Sequence, residues 1–300
     1  MLVFVTGATG FIGTAVVREL LAAGHQVLGL ARSAAAAKSL EAAGAKVHRG
    51  SLEDLESLHR GASASDGVIH TAFIHDFSNY AASAEKDERA IRTLGEALAA
   101  SDRPLVATSG TLLLQRQGPL ATEEDVASPH PPRRSEPAAL AFASERVRAS
   151  SLRLPPSVHG DGDHGFIPAL IEIAREKGVS AYLGDGQNRW PAVHRLDAAT
   201  LFRLALEKGS AGASYHGVGD EGVPFREIAE VIARRLSVPV VSKSPDEAAN
   251  HFGWLAHFVA VDCPASSAQT QRQLGWRPRH PGLIPDIDRP GYFEIAQAAP

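Results

Sequence analysis

The chain has 300 residues, 44% of them hydrophobic and 21% charged, which suits one large α/β domain plus a smaller unit. Net charge is −4 and the basic residues are scattered, so Arg133-Arg134 and Arg234-Arg235 read as solvated pairs and no nucleic-acid stripe is expected. Cys263 is the single cysteine, which excludes an internal disulfide and a CxxC metal site and fits a reducing cytoplasm, and no run approaches the roughly 20 apolar residues that span a bilayer.

The N-terminus runs straight into a strand-turn-helix unit and carries no signal-peptide pattern. Leu2–Thr6 is a β-prone apolar run closed by Gly7, and reads as a buried strand. Ile12, Val16 and Leu20 then share one helical face that ends at Gly24. Gln26–Ala31 is a second strand, Ala34–Ala43 a helix stopped at Gly44, and Lys46–Arg49 a third strand. Leu52–Arg60 reads as helix, Asp66–His70 as strand, Glu85–Ala100 as a long amphipathic helix, Pro104–Thr108 as strand and Ser150–Leu154 as a sixth strand. This rhythm implies a parallel, doubly wound sheet with right-handed crossovers. Gln115–Pro137, rich in Pro, Ser and charge, breaks the rhythm and reads as a long loop near the site. Beyond Pro155, the helices Phe166–Lys177, Leu196–Lys208, Phe225–Leu236 and Ser266–Leu274 alternate with Gly/Pro turns. Gly184–Trp190 is a turn that delivers Trp190 either to the wall of an apolar pocket or to the core.

The stretch Thr6-Gly7-Ala8-Thr9-Gly10-Phe11-Ile12-Gly13 lies between strand and helix, the context that gives a glycine pattern its meaning. Gly7 permits a tight turn, Gly10 lets the backbone approach a pyrophosphate, and Gly13 lets helix and strand pack closely. The helix N-terminus offers free N–H groups to phosphates, so Thr9, Phe11 and Ile12 join the glycines as cofactor-binding candidates. The second strand ends Leu30-Ala31-Arg32-Ser33, without the acid that holds a ribose 2′-hydroxyl. Arg32 can face a 2′-phosphate with a planar guanidinium, Ser33 can add a hydrogen bond, and Lys38 can add charge. The expectation is a Rossmann-type domain that prefers NADP(H), with NAD(H) as the alternative. That domain spans residues 1–158 with return strands within 190–218, around Ala192–His194 and Ser214–Gly217. Residues 159–300 form a smaller substrate-binding lid.

TGATGFIG, with Val68-Ile69-His70-Thr71-Ala72 and Ala107-Thr108-Ser109-Gly110-Thr111, resembles the short-chain dehydrogenase/reductase superfamily in its extended or atypical, NAD-dependent epimerase/dehydratase branch. Leu154–Gly160 is similar to that family's Arg-Pro-x-x-x-Tyr-Gly stretch, and Gln273–Pro278 to its Leu-Gly-Trp-x-Pro. The resemblance implies that Ser51 and Leu52 lie near the adenine, that Thr71, Ala72 and Phe73 line the pyrophosphate and ribose, and that Pro156, Ser157 and Val158 border the nicotinamide. It also implies that Ser109 is the active-site serine, with Thr111 nearby. The family's Tyr-x-x-x-Lys pair is missing: no tyrosine lies between Tyr80 and Tyr182 and no lysine between Lys86 and Lys177. Among groups able to move a proton in its place, His130 lies where the pair belongs, and His75, Asp76, His159, Asp163, His164 and His194 are further candidates. No metal site is expected.

Three readings follow. The first is an NAD(P)-dependent oxidoreductase acting on a carbonyl or alcohol of a small molecule. The second is an NADP(H)-binding sensor that has lost catalysis, and the third an epimerase or dehydratase with tightly held cofactor. The expected partner is a small-molecule substrate, with no nucleic acid or membrane. A homodimer is left open.

Overall fold

The computed structural model describes residues 1–76, 79–129 and 131–294. The first half alternates strands and helices in the order β1 (Leu2–Thr6), α1 (Phe11–Ala22), β2 (Gln26–Ala31), α2 (Ala34–Ala42), β3 (Lys46–Arg49), α3 (Leu55–Ser63), β4 (Gly67–His70), α4 (Tyr80–Leu98) and β5 (Pro104–Gly110). A short α5 (Ser135–Leu140), β6 (Arg148–Leu154), β7 (Ser157–His159), α6 (Phe166–Lys177), β8 (Ser180–Leu183), β9 (Arg189–His194) and α7 (Arg195–Lys208) follow. The chain continues through β10 (Ser214–His216), β11 (Asp220–Pro224), α8 (Phe225–Leu236), β12 (Val240–Lys243), α9 (Pro245–Phe252), α10 (Ala256–Val259), α11 (Ala268–Leu274) and α12 (Leu283–Ile287).

Seven strands form one parallel sheet in the order β10-β6-β5-β4-β1-β2-β3. Alternation along β1 explains its two buried faces. Val3 and Val5 meet the layer of α1 and α7, while Phe4 meets the layer of α3 and α4. The strand order reverses at β1, which places a crevice outside the carboxyl ends of β1 and β4, where open sheets of this kind receive ligands.

Of the two expected return segments, β10 joins this sheet beside β6, whereas residues 192–194 do not. They belong to β9, which pairs with β7 and β11 in a separate three-stranded sheet. The chain turns at Pro155-Pro156 and leaves the main sheet, and β9 follows β7 away. A second core forms around Ile171, Trp190, Phe225, Ile232 and Phe252. Trp190 is fully buried with its ring 5.0 Å from that of Phe225, so it is core rather than pocket wall.

Helix starts differ from the sequence reading most at α3 and α4. The α3 helix begins at Leu55 because Asp54 caps it by accepting from Ser57 N at 3.0 Å, leaving Ser51–Glu53 as a turn. The α4 helix begins at Tyr80 rather than Glu85. The expected loop to Pro137 ends earlier, because Ser135-Glu136-Pro137 open α5, with Glu136 paired to Arg153 at 2.6 Å. Among the described residues, no helix is long and apolar enough to cross a membrane.

Candidate active site

The glycine turn is shaped by backbone proximity. Gly7 has φ +67°, and a Cβ there would lie 2.7 Å from both Ala72 N and Thr71 Oγ1. A Cβ on Gly13 would lie 1.9 Å from Gly7 O, so the helix can sit on the turn only with glycine at that position. Gly10 N donates to Gly7 O at 2.9 Å, and Thr9 and Gly10 stay exposed. Gly10 is the N-cap of α1 and no side chain caps this end, so the N–H groups of Phe11, Ile12 and Gly13 point out of the helix toward the crevice.

At the neighbouring corner Ala31 is buried while Arg32, Ser33 and Lys38 are exposed. Ser33 Oγ accepts from Ala36 N at 3.1 Å as the N-cap of α2, which leaves its hydroxyl proton free to donate. Parallel register sets Arg49 beside Ala31, and Arg49 Nη1 donates to Ser33 O at 2.8 Å. Sequence reasoning missed Arg49. The signal was available, because it ends β3 as Ala31 ends β2. Ser51 Oγ accepts from Glu53 N at 3.3 Å, and Leu52 packs its half-buried side chain on the α3 side of the core.

At the ends of β4 and β5, Thr71 Oγ1 donates to Thr6 O at 2.8 Å and Thr108 Oγ1 to His70 O at 2.7 Å, tying the strand ends together. Thr71, Ala72 and Phe73 are half-buried at this edge. Ser109 is 5% exposed and its hydroxyl has no protein partner among the described residues. Thr111 Oγ1 is fully buried and equally unpartnered. Beside them lies a buried polar cluster. His70 Nδ1 meets Thr6 Oγ1 at 2.8 Å and its Nε2 meets Asp87 Oδ1 at 3.0 Å. Asp87 also pairs with Arg133 at 3.2 Å and accepts from Ser135. Burial alone would raise the Asp87 pKa, but Arg133, His70 and Ser135 outweigh it and hold the carboxyl below its ordinary range.

Arg133 Nη2 donates to Thr108 O at 3.1 Å, and its Cζ stands 4.0 Å from the Phe73 ring centroid. The sequence reading of Arg133-Arg134 as a solvated pair is therefore corrected. The Arg133 side chain is only 12% exposed, against 58% for Arg134, because Asp87 on α4 draws it inward. The ring of Phe73 also meets His75 at 5.0 Å and Tyr80 at 5.6 Å. Desolvation, and then the charges of Arg133 and His164, lower the His75 pKa. His130 lies outside the described residues. Asp76 Oδ1 accepts from Asn79 N at 3.3 Å.

Farther along, Pro156 and Val158 are half-buried, and Ser157 Oγ is buried without a partner among the described residues. His159 Nδ1 meets Asp286 at 2.8 Å, and Tyr292 accepts from Gly160 N at 2.8 Å while reaching Asp286 at 3.3 Å. Burial raises Asp163 to about 6. Burial and the neighbouring His159 lower His194 to about 4. His194, Asp197 and His280 bring ligand atoms within 4.8 Å of one another, a grouping the sequence did not suggest. Within it, Asp197 accepts from Arg279 N, His280 N and His280 Nδ1, and His194 Nδ1 accepts from Leu196 N. The group thus clasps the start of α7 to the C-terminal segment.

A central parallel sheet reversing at β1, with a glycine turn at the reversal, defines an open, doubly wound α/β protein of the Rossmann type. The chain belongs to the NAD dependent epimerase/dehydratase family, whose model matches residues 3–218. An uncharacterized protein of Schizosaccharomyces pombe is 54% identical over 295 residues, covering 98% of this chain and 100% of its own length. The 2-alkyl-3-oxoalkanoate reductase of Stenotrophomonas maltophilia is 29% identical, over 81% of this chain and 78% of its own. The dTDP-glucose 4,6-dehydratase DesIV of Streptomyces venezuelae, solved with NAD and TYD bound, shares the fold with a TM-score of 0.76 at 22% identity, over 96% of both chains.

Proposed function

We propose that this chain is an NADP(H)-dependent oxidoreductase that interconverts a carbonyl and an alcohol on a small organic molecule. One observation carries the reading. The uncapped N-terminus of α1 and the unpartnered hydroxyl of Ser109 stand at the carboxyl ends of β1 and β5, on one edge of one parallel sheet. Backbone N–H groups there suit a dinucleotide diphosphate, and a free hydroxyl suits a substrate oxygen.

The residues fit such a cofactor. Gly10 leaves room for it, on a turn whose shape Gly7 and Gly13 permit, and Thr71, Ala72 and Phe73 form the opposite lip. Arg32, Arg49 and the Ser33 hydroxyl form a basic corner with no acid at the end of β2, which favours a 2′-phosphate over a bare ribose. When bound, the nicotinamide supplies or accepts a hydride. Ser109 donates to the substrate oxygen, with Thr111 in support. Arg133 holds the Thr108 carbonyl and the Phe73 ring and so fixes the wall beside Ser109. His75, packed on that same ring, passes the proton between substrate oxygen and solvent. The ketone-reducing activities named for relatives from Stenotrophomonas and Stigmatella aurantiaca support carbonyl chemistry.

A panel of ketones and alcohols followed by NADPH absorbance tests this. Reduction of at least one ketone is expected. NADPH binding without turnover of any panel member would replace the reading by a cofactor-binding sensor, which the absence of tyrosine and lysine from α5 favours.

A further inference from the structure

Arg195 is the first residue of α7, in the C-terminal part of the chain, yet it reaches the N-terminal glycine turn. Its Cζ lies over the Phe11 ring, 5.1 Å from the centroid. The residue is half-buried, and among the described residues it has neither an ion-pair nor a hydrogen-bond partner. Other arginines taken from solvent are matched. Arg153 pairs with Glu136, Arg203 with Glu19 and Glu207, and Arg103 and Arg148 donate to backbone carbonyls. A partly desolvated guanidinium without a counter-charge costs free energy that an anion beside it would restore.

Two further observations point to the same spot. The His164 ring meets Phe11 edge-on, with centroids 5.7 Å apart, so histidine and arginine flank one aromatic side chain. Phe11 begins α1, whose first N–H groups are uncapped. The backbone is also shaped to admit the arginine stem. Gly160 has φ +132°, and a Cβ there would lie 3.2 Å from Arg195 Cγ and 3.0 Å from His194 Nε2.

We infer that Arg195, with His164 beside it, binds the diphosphate of the dinucleotide together with the α1 N-terminus. The inference rests on the cofactor reading above. It divides the basic groups of the site into two kinds. Arg32 and Arg49 address the adenosine 2′-phosphate, and so distinguish NADPH from NADH. Arg195 addresses the diphosphate, which both cofactors share.

The test is equilibrium titration of the full chain with NADPH, NADH, ADP-ribose and 2′-AMP, for the parent, Arg195→Ala, Arg195→Lys and His164→Ala. Arg195→Ala should weaken NADPH, NADH and ADP-ribose by similar factors, about tenfold or more, and leave 2′-AMP unchanged. Arg195→Lys should fall between, since it keeps the charge and loses the fork. His164→Ala should show a smaller loss in the same direction. Should Arg195→Ala fail to fold by circular dichroism, Arg195→Lys carries the comparison. Parental affinity for ADP-ribose in the Arg195 variants overturns the inference, as does a loss confined to ketone turnover, which would give Arg195 to the substrate. A parent that binds neither cofactor nor ADP-ribose would sink the cofactor reading itself.

Discussion

The glycine turn and the wall beside Ser109 stand on the same edge of one sheet and are made by opposite means. The turn is backbone: a left-handed Gly7, a helix seated on it through Gly13, and N–H groups without a cap. The wall is side chains from distant stretches, with His70 from β4, Asp87 from α4, and Arg133 and Ser135 from the entry to α5 meeting in one buried cluster. A backbone device survives most changes around it and fails at the glycines themselves. A charged network fails from any member, because each partner left behind is buried.

That contrast can be broken first at Asp87. Asp87→Ala strands Arg133 and His70 in the interior, and should cost roughly 3–5 kcal/mol of stability in urea unfolding. An unchanged midpoint would mean that the cluster does not hold the wall. Ser109→Ala should behave oppositely. Its hydroxyl has no protein partner among the described residues, so stability should hold while turnover falls by about a hundredfold or more with NADPH affinity unchanged. Parental turnover would remove Ser109 from the mechanism.

The smallest effect concerns Asp163, whose carboxyl is raised by burial from 3.8 to about 6. A raised acid favours the protonated folded state, so its stabilisation is complete below about pH 4 and is lost as pH rises toward 6. Asp163→Asn should flatten that decline in a pH series of urea midpoints. An identical slope in parent and variant would show that Asp163 does not drive it.

The parallel sheet and the glycine turn were legible because each is local. A β-prone run and a glycine spacing are read within a few residues. Arg133 was read as solvated because its partner Asp87 lies 46 residues away. Arg49 was overlooked although it ends β3 as Ala31 ends β2, since the β2–β3 register is what sets the two side by side. The 192–194 strand was assigned to the wrong sheet because alternation fixes that a strand forms and not which strand it pairs with. Arg195 meets Phe11 only through the packing of α7 against α1, which no short motif encodes.

The proposed seat of the dinucleotide is the Gly7–Gly13 turn, with the 2′-phosphate at Arg32 and Arg49. Calorimetric titration of NADPH and NADH into the parent, Gly10→Val and Arg32→Ala tests it most directly. The parent should bind NADPH more tightly than NADH. Arg32→Ala should remove most of the difference, about tenfold or more for a charge-assisted contact. Gly10→Val should remain folded and bind neither. Equal parental affinity for the two cofactors would contradict the 2′-phosphate corner, and a folded Gly10→Val that binds NADPH as the parent does would contradict the seat itself.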